Sequence, residues 1–127
     1  MFIRLSEKSE NMREYIELWS RLIRRQAKSE SFYGCPITNF AIHGNLDEEP
    51  ILKEKITHSI VYWTGIISDF IKKQISEGKL SKSCDPFQLA TRIMKLYQGS
   101  SAMYRITGNF EYLRGFREDL LKTVESY

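Results

Sequence analysis

Four long stretches of the chain repeat apolar residues at the three- and four-residue spacing of an amphipathic helix. The first predicted helix covers about residues 7–28, with Ser6 as its N-cap. The others cover about residues 50–77, 87–106 and 110–126. The hydrophobic pattern therefore predicts an all-α fold.

The residues between these stretches are those that begin and end helices. Pro50 suits a first helical turn, because its missing N–H has no partner there. Gly78 suits the left-handed position after a helix. Asp85, followed directly by a proline, predicts the N-cap of the third long helix, and Asn109 predicts that of the fourth.

The segment between the first two long helices contains a short apolar stretch of its own. After the break at residues 29–31, Pro36 can begin a short helix that ends at Gly44 and Asn45. Short connections favour antiparallel neighbours. The expected architecture is an antiparallel helical bundle of four main helices plus this one short helix, in a single domain of residues 1–127.

Composition narrows the class of protein further. The chain has 127 residues, 42% of them hydrophobic, which is enough for one core. A net charge of +3 is too small to indicate a nucleic-acid surface, and the basic cluster on the first helix is expected to be a solvated face. The two cysteines, Cys35 and Cys84, suit a reducing compartment, and no apolar run is long enough to span a membrane. We therefore expect a cytoplasmic protein.

The last two predicted helices carry more apolar surface than one core requires. Their uncharged arcs cover about 200° and about 180°, against about 100° for an ordinary surface helix. Gly99 and Ser100 are small enough to let another helix approach. One interpretation is a twofold dimer in which two helices from each subunit form a four-helix bundle. The other is a helix buried on most sides within one subunit. The predicted dimer interface comprises Leu89, Ile93, Leu96, Ser100, Met103, Tyr112, Phe116 and Leu120.

The order of motifs resembles that of a known family. Residues 34–41 read Gly-Cys-Pro-Ile-Thr-Asn-Phe-Ala and are followed by the acidic residues 47–49 and a long helix centred on Trp63. Another helix passes through Gln98 and Gly99. This order is similar to the C-terminal regulatory domain of TetR-family transcriptional regulators. Their Gly-Cys-hydrophobic-hydrophobic-Gly-Asn pattern has Pro-Ile-Thr here before a retained Asn39.

The resemblance implies an effector pocket among the helices. Aromatic and sulfur side chains are abundant in the predicted core and can either line such a cavity or form ordinary packing. The resemblance favours the cavity. The predicted pocket residues are Trp19, Phe32, Phe40, Trp63, Ile67, Met94, Tyr97 and Gln98.

The sequence offers few candidate residues for a catalytic or a metal site. His43 and His58 are not spaced with cysteine or carboxylate residues as metal ligands are. Cys35 with His43 lacks the orienting acid and glycine-rich turn of a nucleophilic site. We therefore expect no enzyme, no metal and no cofactor.

The resemblance implies a regulatory function. The expected protein homodimerises and binds a small, apolar or aromatic effector, which controls DNA binding by an N-terminal helix-turn-helix head. That head has no counterpart in these 127 residues, so the chain is expected to be part of a longer regulator and not to bind operator DNA alone. The alternative is a helical protein–protein interaction module without a ligand.

Overall fold

The computed structural model describes residues 1–29 and 45–127. Within them the chain forms five α-helices, and a single 3-10 turn at Leu46–Glu48 precedes the third. The predicted all-α fold is confirmed. The short helix predicted after Pro36, and the predicted pocket residues Phe32 and Phe40, lie outside the described residues. The helices are α1 (Phe2–Lys8), α2 (Met12–Ala27), α3 (Pro50–Ser76), α4 (Pro86–Thr107) and α5 (Glu111–Glu125).

The first predicted helix is two helices. Its predicted cap, Ser6, lies inside α1, where its hydroxyl donates to the carbonyl of Phe2 at 3.0 Å. Ser9 is extended, with ψ of 132°, so the helix cannot continue through it. The actual N-cap of α2 is Asn11, whose Oδ1 accepts the N–H of Glu14 at 2.9 Å. A capped start makes α2 independent of α1.

The predicted ends of the other helices agree with the structure to within one or two residues. Pro50 begins α3, a helix of 27 residues and thus about 40 Å. Asp85 caps α4, accepting the N–H of Gln88 at 3.0 Å. Gly78 and Gly108 follow α3 and α4 with φ of 75° and 67°, a conformation that a side chain disfavours. Local signals therefore set these boundaries.

Other helices pack against α4 on more than one side. α4 packs against α3 and α5, α5 also packs against α2, and α1 lies against both α2 and α3. Tyr97 contacts Phe116, and Tyr127 donates to Gln88 further along, so α4 and α5 run antiparallel. A continuous core joins all five helices.

An ion pair at the edge of the core joins α2 to α5. The guanidinium of Arg117 donates through Nε and Nη2 to Oε1 of Glu17, with an Nε–Oε1 distance of 2.8 Å. This hydrogen bonding, more than the nearby Arg13 and Arg21 charges, holds the pKa of Glu17 below its ordinary value. The same contact raises the pKa of Arg117. Because both side chains are about 30% exposed, water screens the pair, and its contribution to stability is modest.

Replacing Glu17 by glutamine is expected to reduce stability at neutral pH and much less in acid. A carboxylate with a lowered folded pKa stabilises the fold above its unfolded pKa, about 4.3 for glutamate. That stabilisation is lost as pH falls through the lower folded value. Urea unfolding of the two proteins at pH 7 and pH 3 would show the midpoints converging in acid. Glu54→Gln, at an exposed position on α3, is the control. The same difference between the urea midpoints of the two proteins at pH 7 and at pH 3 would contradict this expectation.

Candidate effector site and partner surface

Trp19 is the centre of the aromatic core. Its side chain is 0% exposed and is surrounded by four other rings. The ring centroids of Tyr97 and Phe116 lie 4.9 and 5.0 Å away, and those of Phe2 and Tyr15 lie 5.2 and 6.0 Å away. These separations are typical of favourable aromatic pairs. α2 therefore brings its tryptophan into contact with rings from α1, α4 and α5.

A second feature is the set of rings around Phe2, which we call the Phe2 box. Its walls are Trp19 from α2, Trp63 from α3 and Tyr97 from α4. Their centroids lie 5.2, 5.3 and 6.1 Å from that of Phe2. Trp19 and Tyr97 meet the phenyl ring nearly at right angles, at 88° and 83°. The box thus holds one aromatic ring between three helices.

The structure brings together three of the described members of the predicted effector site. Trp19, Trp63 and Tyr97 form the walls of the Phe2 box. Ile67 and Met94 are buried in the same core cluster, and Trp63 packs against it half-buried. Gln98 is half-buried next to Tyr97 in sequence. The three aromatic members of the predicted site therefore enclose the protein's own Phe2.

The sequence prediction did not include Phe2, because the predicted first helix begins only after Ser6. A usable signal was present: Phe2, Leu5, Ser9 and Met12 continue the apolar stripe of α2 backwards at three- and four-residue steps. Ser9, although polar, is buried at 7% exposure and keeps that register. The stripe therefore predicts that this N-terminal turn packs against the core.

Several polar groups are buried in the subunit together with the aromatic core. Burial raises the pKa of the Tyr15 hydroxyl, with a partly compensating effect of Ser6, so the phenol stays neutral at physiological pH. The indole N–H of Trp19 and Oε1 of Gln74 are buried and have no hydrogen-bond partner among the described residues. A buried donor without a partner is unfavourable and can be satisfied by an acceptor atom on a ligand. Such groups can orient an apolar ligand.

Outside the core, the described residues offer little further site chemistry. Residues 1–29 and 45–127 contain no group of three or more histidine, cysteine or acidic side chains placed to hold a metal. Cys84 is buried, and burial raises the pKa of its thiol. One open surface groove follows the outer side of α3 between Pro50 and Val61, and another lies beside the junction of α1 and α2. Neither is lined by a residue predicted to bind effector.

Half of the predicted dimer interface lies inside the subunit. The structure places four of its members in the core, each with 0 or 1% of its surface exposed: Leu89, Ile93, Phe116 and Leu120. The reason is that α4 packs against both α3 and α5, so its wide apolar arc is largely covered within one subunit. A second copy cannot reach these side chains in this conformation.

The other half of the predicted interface remains accessible. Met103 and Tyr112 are 39% and 38% exposed, and Leu96 and Ser100 are half-buried. Gly99 lies among them on α4, and a Cβ added there would meet nothing within 4 Å. We call Leu96, Gly99, Ser100, Met103 and Tyr112 the α4–α5 face. This face is small and apolar. At Gly99, another helix can approach the backbone of α4 closely.

The geometry of α5 places Tyr112 away from α2. Arg117 marks the edge of α5 that meets α2, through its contact with Glu17. At about 100° per residue, Tyr112 lies about 140° round the helix from Arg117. The edge of α5 that carries Tyr112 therefore lies on the side away from α2.

Comparison with known protein families identifies the family of the chain. Residues 9–120 match the family described as tetracyclin repressor-like, C-terminal domain. The match covers most of the chain, so the protein belongs to this family of C-terminal regulatory domains of TetR-like transcriptional regulators. No curated protein and no solved structure matched the chain. Across the described ranges, none of the helices combines the length and apolar character needed to cross a membrane.

Proposed function

We propose that this domain homodimerises through the α4–α5 face and binds a small apolar or aromatic effector between its helices. Binding would control a DNA-binding head that precedes this domain in the parent regulator. The effector would act by stabilising one arrangement of the helices over another, which shifts the population of binding-competent regulators. No catalytic step is part of this function, and the domain works as a cytoplasmic sensor.

The observation that carries the proposal is the Phe2 box within a chain of this family. Three rings from three different helices surround one site, so any molecule bound there contacts α2, α3 and α4 together. Such a molecule would be sensitive to the relative positions of those helices. Apolar walls with few polar groups are typical of small-molecule pockets.

Two measurements test the proposal. Static light scattering at low micromolar concentration is expected to give twice the chain mass of 15.0 kDa. A thermal-shift screen of uncharged aromatic and aliphatic compounds is expected to yield ligands that raise the unfolding temperature, because ligands of the folded state stabilise it. A monomer at these concentrations would contradict the dimer. The absence of any stabilising compound would contradict effector sensing.

A second function has one observation in its favour. The phenyl ring of Phe2 fills the space between Trp19, Trp63 and Tyr97, as expected for a domain that packs its core without a ligand. A helical protein–protein interaction module needs only such a packed core and no ligand. A dimer that no compound stabilises would favour this module over the sensor.

A further inference from the structure

We propose that Phe2 is an internal occupant of the effector site, and that the effector is an uncharged compound with a single aromatic ring that takes its place. This inference rests on the proposed function and specifies its ligand class. The box holds the phenyl ring at centroid distances of 5.2 to 6.1 Å from its three walls. A site that fits a phenyl side chain fits a free ring of the same size.

The helix that carries Phe2 is short and is held in the core mainly by two side chains. α1 spans seven residues, and two of its side chains, Phe2 and Leu5, are buried. A helix this short has little stability of its own and depends on its packing. Its position is therefore set mainly by how Phe2 and Leu5 compete with other occupants of the core.

The junction that follows α1 is held in place independently. Nζ of Lys79, from the loop after α3, donates to the carbonyl of Glu10 at 2.6 Å and pairs with Glu77 at 3.0 Å. The Oε2 of Glu14 accepts the N–H of Glu10 at 2.8 Å, just ahead of the Asn11 cap. These contacts join the start of α2 to the loop after α3. The extended backbone at Ser9 then separates this point from α1. Release of Phe2 can thus move α1 without disturbing α2.

The chemistry of the box indicates the class of ligand. Indole and phenol rings form its walls, and they pack well against another ring through edge-to-face contacts. A carboxylate placed between them would lose its hydration without gaining a charged partner. The N–H of Trp19 is buried without a partner among the described residues, so an oxygen acceptor on a compound that reaches it would satisfy it. Phenol combines these properties and serves as the probe, with benzoate as the charged comparison of similar size.

The test uses the complete chain and three measurements. Titration calorimetry is expected to show phenol binding to the wild-type protein and benzoate binding much more weakly. Hydrogen exchange of the backbone amides in residues 5–8 is expected to accelerate when phenol saturates the wild-type protein, while α4 stays protected. Phe2→Ala, which removes the competing ring, is expected to bind phenol about tenfold more tightly or better, because an occupied site lowers apparent affinity by the fraction that is open.

Matched variants distinguish competition between Phe2 and phenol from a general destabilisation of the fold. Ile3→Ala changes the neighbouring residue of α1, which is 48% exposed, and is expected to leave phenol affinity unchanged. Phe2→Leu keeps an apolar anchor and is expected to bind with intermediate affinity, which covers the case in which Phe2→Ala does not fold. Unchanged exchange in residues 5–8 of the phenol-saturated wild type would overturn the inference, as would equal binding of benzoate and phenol, or an absence of phenol binding.

The outcomes also distinguish this inference from the proposed function. A compound from the thermal-shift screen that binds wild type and Phe2→Ala equally, with α1 still protected, would place the effector elsewhere. Sensing would then stand while the internal-occupant inference fails. A screen in which no compound stabilises the protein would remove the proposed function itself.

Discussion

Replacing Trp19 by alanine is expected to lower the free energy of unfolding by about 3–5 kcal/mol, the range for buried aromatic-to-alanine changes. Trp19 is 0% exposed and touches four rings from four helices, so its loss leaves a cavity that no single element can close. A domain of this size has a total stability of about 5–15 kcal/mol, so the variant would be marginally folded. Urea unfolding at one fixed chain concentration is the measurement.

Trp19→Phe separates the contribution of ring packing from that of the indole N–H. Phenylalanine keeps most of the apolar contact and removes a buried donor that has no partner among the described residues. Its cost is therefore expected to be well below that of alanine. Tyr62→Ala is the exposed control, at 54% exposure on α3, and is expected to change stability by about 0.5 kcal/mol or less. An alanine effect at Trp19 no larger than that at Tyr62 would contradict the role assigned to this side chain.

The boundaries of most helices could be predicted because their signals are local. Asp85 places an acceptor at the first turn of α4, and Gly108 adopts the positive φ that ends it. Both effects act within a few residues, so the sequence shows them directly. The start of α2 was predicted wrongly because the local signals there are ambiguous. Ser6 and Asn11 are both good caps, and only tertiary packing of Phe2 and Leu5 makes the first of them interior to α1.

The candidate site was predicted only in part, because side-chain burial depends on which helices become neighbours. Trp19 and Tyr97 lie within the apolar stripes of their helices and are buried in the core. Both belong to the predicted effector site. Phe116 was instead assigned to the dimer interface. It packs against Trp19 at 5.0 Å because α5 lies against α2, which helical periodicity does not reveal. A wide apolar arc shows that a helix has several contacts, and it does not show which contact is within the subunit.

This ambiguity makes the α4–α5 face the surface at which the proposed dimer is best tested. Its members on α4 lie on consecutive turns, with Leu96, Gly99 and Met103 spaced at three and four residues. Small residues at such positions allow helices to approach closely. In a twofold arrangement the same strip from each copy would meet its equivalent, so each change at Gly99 enters the interface twice.

Replacing Gly99 by glutamate is expected to raise the dimer dissociation constant by about 100-fold or more, since opposed like charges cost several kcal/mol and 1.4 kcal/mol is a factor of ten. The fold of the subunit should tolerate the change, because a Cβ at Gly99 meets nothing within 4 Å. Glycine is also a poor helix former, so the new residue favours the helix by about 0.5–1 kcal/mol. Analytical ultracentrifugation of the variant is the measurement.

Gly65→Glu provides a closely matched control. Gly65 also lies within a long helix, α3, and a Cβ there also meets nothing within 4 Å. The substitution therefore adds the same charge and the same helix propensity at a position outside the α4–α5 face. We expect Gly65→Glu to remain dimeric while Gly99→Glu sediments as a monomer with unchanged helical content. Equal dissociation of the two variants would attribute the effect to net charge, and retention of the dimer by Gly99→Glu would show that the subunits meet through a different surface.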